Sequence, residues 1–254
     1  MLKLNFIESD NYLTPFADLK ELNFVSHFKG ATEKDFKKWR SEIINKRVPL
    51  ISEVKKKINF DGEILEIGAG SCWLSAELSK IPEVRHIYAL DFSKRVLQEI
   101  APTIIKLLKA KEDKITQILG DFHKLPFNDS SFDFVVIDAA LHHTNHLNLV
   151  LREIYRVLKS RGKLVAIREP IKSFSWPIKK KFSLVDRHVK KFGVIENTYS
   201  KKLWIRYFEE AGFNLSIKPI FFKGGPKENL IRFTPIRFFN GILYSRYYFI
   251  ASSK

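Results

Sequence analysis

Cysteine is almost absent from this chain: Cys72 is the one example in 254 residues. A lone thiol excludes an internal disulfide framework, and no His or Cys spacing resembles a zinc site, so no metal is expected and a reducing compartment is the natural home. Long apolar runs are missing too. No stretch approaches the roughly 20 apolar residues of a membrane span, and Met1-Leu2-Lys3-Leu4-Asn5 leads into mixed polar sequence, so a soluble, cytoplasmic protein is expected. Acidic residues are the third scarcity, with 28 Asp and Glu against 44 Lys and Arg and a net charge of +16. The imbalance is local. Residues 168–254 hold 18 basic and 6 acidic side chains, whereas residues 1–167 are nearly balanced at 26 and 22. That basic third also carries Trp176, Phe182, Trp204, Phe221, Phe238 and Tyr247, a mixture suited to an anionic surface, a lipid interface or nucleic acid, or simply to a solvated face.

With 45% hydrophobic residues the chain can bury one sizeable core. Three regions are expected: a helical accessory segment over 1–60, an α/β core over 61–170, and a basic, aromatic lid or insertion plus the final strands over 171–254. In the first, residues 31–47 and 48–58 place apolar side chains at helical spacing among lysines. From Glu63 onward short apolar runs alternate with amphipathic stretches of helical length, the pattern of βαβ units on a parallel sheet. Strands are expected at 63–67, 86–90, 115–119, 132–137 and 163–167, with late runs at 213–222 and 244–251 as an antiparallel pair. Helices are expected at 71–79, at 93–108 with Ser93 as N-cap, at 146–158 ended by Lys159-Ser160-Arg161-Gly162, and at 203–211 closed by Gly212. The fold class is therefore α/β, a doubly wound, mostly parallel, seven-stranded sheet with N-terminal helices.

Ile64-Leu65-Glu66-Ile67-Gly68-Ala69-Gly70-Ser71 reads as a buried strand entering a glycine turn and then a helix, where backbone can approach a nucleotide-like cofactor. A dinucleotide fingerprint would need glycine where Trp73 stands. Asp91, some twenty residues on at the end of the second strand, is placed to accept hydrogen bonds from ribose hydroxyls. Either feature alone is common in α/β proteins; together they sit on adjacent strands at the expected interval.

Four ordered segments then resemble the class I S-adenosylmethionine-dependent methyltransferases, in particular small-molecule members related to ubiquinone and menaquinone methyltransferases. They are Leu65-Glu66-Ile67-Gly68-Ala69-Gly70, Ala89-Leu90-Asp91-Phe92-Ser93, residues 120–135 beginning Gly120-Asp121-Phe122, and residues 151–164, so the resemblance covers about 62–170. It implies a Rossmann-like fold with S-adenosyl-L-methionine as cofactor. By the same resemblance Glu66, Gly68 and Gly70 shape the pocket for its amino-acid end, Asp91 holds the ribose, Phe92 flanks the adenine, Asp121 and the Phe122 amide read the adenine edge, and Asp138 meets the methionine end. One departure stands out: Cys72 occupies a position where the family commonly has a third glycine, and a positive φ there would be strained.

A methyl sulfonium is already electrophilic, so the enzyme mainly positions the acceptor and excludes water. An acceptor bearing a proton benefits from a base, and Asp138, His142 and His143 supply candidates at the carboxyl end of a strand, His143 foremost. Loop packing is the plainer role for these histidines. Arg168-Glu169-Pro170 points charge at the same rim and suits an acidic substrate, or else forms a buried ion pair. Residues 174–192 read as an amphipathic basic cover, a lid with a secondary role at the inner face of an anionic membrane. The reading is methyl transfer to a small-molecule, lipid-linked or sugar-precursor acceptor. The alternatives are a nucleic-acid methyltransferase, whose Pro-rich base-gripping tetrapeptide after the fourth strand is missing from Asp138-Ala139-Ala140-Leu141, and a non-catalytic binding protein that keeps the fold.

Overall fold

A computed structural model of the chain describes residues 5–8, 31–172, 197–219 and 247–253. Its strands are β1 (Asn5–Glu8), β2 (Gly62–Ile67), β3 (Val84–Asp91), β4 (Ile115–Leu119), β5 (Phe132–Asp138), β6 (Leu158–Ile167), β7 (Ile171–Lys172), β8 (Tyr199–Ser200), β9 (Phe213–Pro219) and β10 (Tyr247–Ser253). Its α-helices are α1 (Glu33–Glu42), α2 (Val48–Lys55), α3 (Trp73–Leu78), α4 (Ala101–Leu107), α5 (Leu147–Val157) and α6 (Lys201–Glu210). The main sheet runs β1-β4-β3-β2-β5-β6-β10-β9, parallel except that β10 is antiparallel to both its neighbours. Strand order reverses between β2 and β5. In an open α/β sheet the crevice outside the carboxyl ends at that point is where ligands bind.

Both faces of the central strands are buried, which is why they read as continuous apolar runs. Ile64, Ile87, Phe134 and Val165 enter one core with α1 to α4, while Leu65, Leu90, Val135 and Leu164 enter the other with α5 and α6. Each such side chain contributes about 1.5–3 kcal/mol of burial. Glu66 lies two residues after Ile64 in β2, so the pleat directs a carboxylate to the first face, and it is 1% exposed.

Two expectations are corrected. The sheet has eight strands among the described residues, not seven, because β1 adds a parallel edge to β4 through Asn5↔Thr116 to Glu8↔Leu119. Residues 159–162, expected to end a helix as a turn, instead lie in β6: Leu158 pairs with Phe132, and the Ser131 amide donates to the Val157 carbonyl at 2.8 Å, drawing the chain into the ladder. The expected cover over 174–192 lies outside the described residues, as do 220–222 and 244–246 of the late runs.

Prolines shape the N-terminal helices. Pro49 has no N–H, and its ring would collide with the carbonyl four residues back. The chain accommodates it with a π turn, Ile43–Arg47, in which the Val48 amide reaches the Ile43 carbonyl. Pro102 produces the same result at Val96–Ile100, closed by Ala101 N–H to Val96. Upstream of that second turn Ser93 caps as expected, its hydroxyl accepting from the Val96 amide at 3.2 Å.

Candidate functional site

The site grows from the buried strand β2. Glu66 Oε2 accepts from the Ser75 amide at 2.9 Å and from the Ser75 hydroxyl, which ties β2 to α3. Its Oε1 is buried and has no hydrogen-bond partner among the described residues. An orphaned buried acceptor is costly unless a ligand satisfies it. Burial, with the negative charges of Asp138 and Asp91, pushes this carboxyl up to about 8 against the pull of the Ser75 hydrogen bonds.

Past β2 the chain turns through Gly68 and Gly70, both at positive φ. A Cβ on Gly68 would stand 2.5 Å from that of Ala140, so the loop can approach the β5 loop only with glycine there. A Cβ on Gly70 would meet no described residue within 4 Å, so among the described residues the turn borders open space. Cys72 follows at φ 54 as the N-cap of α3, fully buried, in the strained geometry that its place in the glycine turn foreshadowed. Gln117 donates to its sulfur at 3.9 Å, and burial drives the thiol pKa well above its ordinary value.

Asp91, at the end of β3, accepts from the Gly70 amide at 2.7 Å through Oδ2 and from the Ser93 amide at 2.9 Å through Oδ1. The aspartate thereby fixes the glycine turn to the neighbouring strand. Phe92 beside it is half-buried and belongs to neither apolar core. Asp121 accepts from the His123 amide at 2.9 Å and meets His123 Nδ1 at 2.6 Å; His123 Nε2 in turn meets the Thr144 hydroxyl. Phe122 is half-buried against the second core. These residues converge at the carboxyl ends of β2, β3 and β4.

The loop after β5 is built differently. Glu169, buried, accepts from the Ala140 and Leu141 amides through Oε1 at 2.9 and 3.0 Å, and through Oε2 from the His142 amide at 3.2 Å and on to His142 Nδ1 at 2.8 Å. Burial alone would raise this carboxyl; the imidazole and the backbone donors outweigh it and hold the pKa below the ordinary carboxylate value. His142 is thus a loop anchor. His143 is half-buried, its ring 4.0 Å from that of His142. Asn197 fastens the same loop, donating to the Thr144 carbonyl at 2.7 Å.

Asp138 ends β5 and is fully engaged: Trp73 Nε1 donates to it at 2.6 Å, and Arg168 grips both oxygens, Nε at 2.5 Å and Nη2 at 2.6 Å. These bonds fix the orientation of Asp138 between α3 and the residue that follows β6. Arg168 and Ala139, the residues directly after β6 and β5, join Cys72 at positive φ, so backbone strain gathers at this end of the sheet. Sequence reasoning missed Trp73 and Arg47. The Arg47 guanidinium lies 5.9 Å from the centre of the Trp73 ring, a contact no periodicity announces.

Residues 65–166 match the family described as Methyltransferase domain. Over that stretch the chain is similar to methyltransferase domains. Demethylmenaquinone methyltransferase of Listeria monocytogenes serotype 4a is 33% identical over 131 residues, 51% of this chain and 50% of that one. The chain therefore spans about half the length of the curated relatives it matches. Among solved structures, a Pyrococcus horikoshii OT3 protein superposes with a TM-score of 0.63 at 20% identity, over 91% of this chain and 98% of that one. Phosphoethanolamine N-methyltransferase 2 of Haemonchus contortus, solved with S-adenosyl-L-methionine, gives 0.56 at 15% identity, over 91% and 59%. These structural likenesses establish the shared fold. The residues present fit S-adenosylmethionine: a turn at Gly70 with no described residue close to it, a Glu66 oxygen with no partner among the described residues and a carboxylate at Asp91 stand on adjoining strand ends.

Proposed function

We propose that the protein transfers the methyl group of S-adenosylmethionine to a small, lipid-linked or sugar-precursor acceptor. The observation that carries the reading is the pairing of the open Gly70 turn with the unsatisfied Oε1 of Glu66, an acceptor suited to an ammonium group. Glu66 would take the amino-acid end of the cofactor, Asp91 the ribose, Phe92 the adenine face, and Asp121 with the Phe122 amide the adenine edge. The cofactor, when bound, supplies an electrophilic methyl group. Among the chain's own residues, Glu169 sets the 140–143 loop, and we assign His143 as the group that accepts a proton from the acceptor. Relatives that are demethylmenaquinone methyltransferases favour a lipid-soluble, demethylmenaquinone-like acceptor. The charge excess of residues 168–254 favours contact with an anionic membrane face as well.

The test is transfer of label from methyl-labelled S-adenosylmethionine into a demethylmenaquinol analogue, a membrane lipid extract or total RNA. Label in the quinol or the lipid fraction is expected. Label in RNA alone would move the protein to nucleic-acid modification, and cofactor binding without transfer to any of the three would favour a non-catalytic role. His143→Asn should lower turnover by about 100-fold or more while leaving affinity for S-adenosylhomocysteine unchanged.

A further inference from the structure

His123 follows Asp121 and Phe122 and turns back on the aspartate. Its amide donates to Asp121 Oδ1 at 2.9 Å, a local turn that aspartate favours, and its ring Nδ1 meets the same oxygen at 2.6 Å. At the other end of the ring Nε2 meets the Thr144 hydroxyl at 2.7 Å. An ionised carboxylate can only accept, so Nδ1 carries the hydrogen that faces Asp121; in the neutral ring Nε2 is then the acceptor and the Thr144 hydroxyl donates to it. The Thr144 oxygen in turn accepts from the His146 amide at 2.9 Å. Thr144 is 1% exposed, so this chain of bonds is shielded from water at its far end.

The link joins two loops that the sheet does not bring together, because β3 and β2 lie between β4 and β5. On the β5 side the loop has two halves. Glu169 takes the amides of Ala140, Leu141 and His142. Residues 143–146 lie past those bonds, and there the Asn197 side chain donates to the Thr144 carbonyl while the Thr144 hydroxyl folds the backbone at His146. The hydroxyl that shapes this second half, which begins with His143, is the one His123 touches.

We infer that His123 is a positioning residue that couples occupancy of the adenosine subsite at Asp121 to the ordering of residues 143–146, and so to the placement of His143. The inference rests on the methyltransferase reading, which gives Asp121 the adenine edge and His143 the proton of the acceptor. A ligand that fixes the Asp121 carboxylate fixes the ring bonded to it, and with the ring the Thr144 hydroxyl that receives the His146 amide. Linkage makes the effect reciprocal: a loop ordered through Thr144 holds the aspartate ready for its ligand.

Site-resolved amide hydrogen exchange of the full chain tests this with 5′-methylthioadenosine, which carries adenine and ribose but no amino-acid end. The 140–142 amides, already held by Glu169, serve as internal reference. In the parent the ligand should slow exchange at 143–146 about fivefold or more, the low end of ordinary coupling between sites. His123→Asn keeps a donor near Nδ1 but is too short to reach Thr144, so it should bind 5′-methylthioadenosine within about threefold of the parent and lose the slowing. His123→Ala drops both bonds and should bind about tenfold more weakly, as the loss of a hydrogen bond to a charged group implies, and lose the slowing as well. Thr144→Val breaks the far end alone and should behave as His123→Asn does. A purely structural role would speed exchange and lower the melting temperature in every variant yet leave the slowing by ligand at the parent's factor, and that result overturns the inference. A parent that binds 5′-methylthioadenosine without slowing at 143–146 overturns it too, with the methyltransferase reading left standing. A parent that binds neither 5′-methylthioadenosine nor S-adenosylhomocysteine ends that reading and the coupling with it.

Discussion

Two buried glutamates stand at the carboxyl end of one sheet, and their surroundings are opposites. Glu169 has four donors on its two oxygens and is held below the ordinary carboxylate range. Glu66 has one oxygen satisfied by Ser75 and one with no partner among the described residues, and is pushed up to about 8. The contrast separates two tasks. Glu169 completes its loop within the protein and makes it rigid, whereas Glu66 is left incomplete in a way that an ammonium-bearing ligand would complete.

Removing the saturated partner should cost most. Glu169→Ala strips the charge beside His142 and leaves three buried amides without an acceptor, a loss of about 3–5 kcal/mol that thermal unfolding would register as a melting point lower by roughly 10 °C. A decrease of only one or two degrees would mean that the loop is not held this way. The pH dependence of stability should then split by residue. Glu66, whose folded pKa is raised, holds a proton that the unfolded chain gives up, so its share of stability is present below about 4.5 and is lost as pH rises towards about 8. Glu169, whose folded pKa is lowered, contributes stability above its unfolded pKa that is lost on acidification through the folded one. Denaturant titrations across pH 4–9 should show Glu66→Gln flattening the upper limb alone; an unchanged upper limb would remove Glu66 as its cause.

The smallest effect is expected at Cys72. Glycine there relieves backbone strain of about 1 kcal/mol but gives up a buried thiol, so Cys72→Gly should change stability by less than about 1 kcal/mol and cofactor affinity hardly at all. Cys72→Val, β-branched at positive φ, should lose clearly more. Equal stability of the two variants would show that the turn relaxes around its side chain.

The sequence reveals one of these glutamates in its role and not the other. Glu66 is legible because it interrupts an apolar strand directly before two glycines, and the strands themselves are legible because both their faces are buried. Glu169 is legible as charge at the rim but not as the anchor of His142, 27 residues distant, since only strand pairing brings β5 and β6 side by side. β1 escapes notice for another reason: Asn5–Glu8 is short and largely exposed, and its extended form depends on pairing with β4. The two π turns follow from Pro49 and Pro102, so a signal was present there, but it marks a kink without saying that Arg47 lands on Trp73. The expected lid over 174–192 lies among residues the structure does not describe.

The most direct test of the whole account is calorimetric titration of the protein and of Asp91→Ala with S-adenosylmethionine and S-adenosylhomocysteine. The account predicts micromolar binding of both by the parent and its loss in the variant, which gives up both the ribose acceptor and the anchor of the Gly70 turn. Failure of the parent to bind either compound, or equal binding by Asp91→Ala, would contradict it.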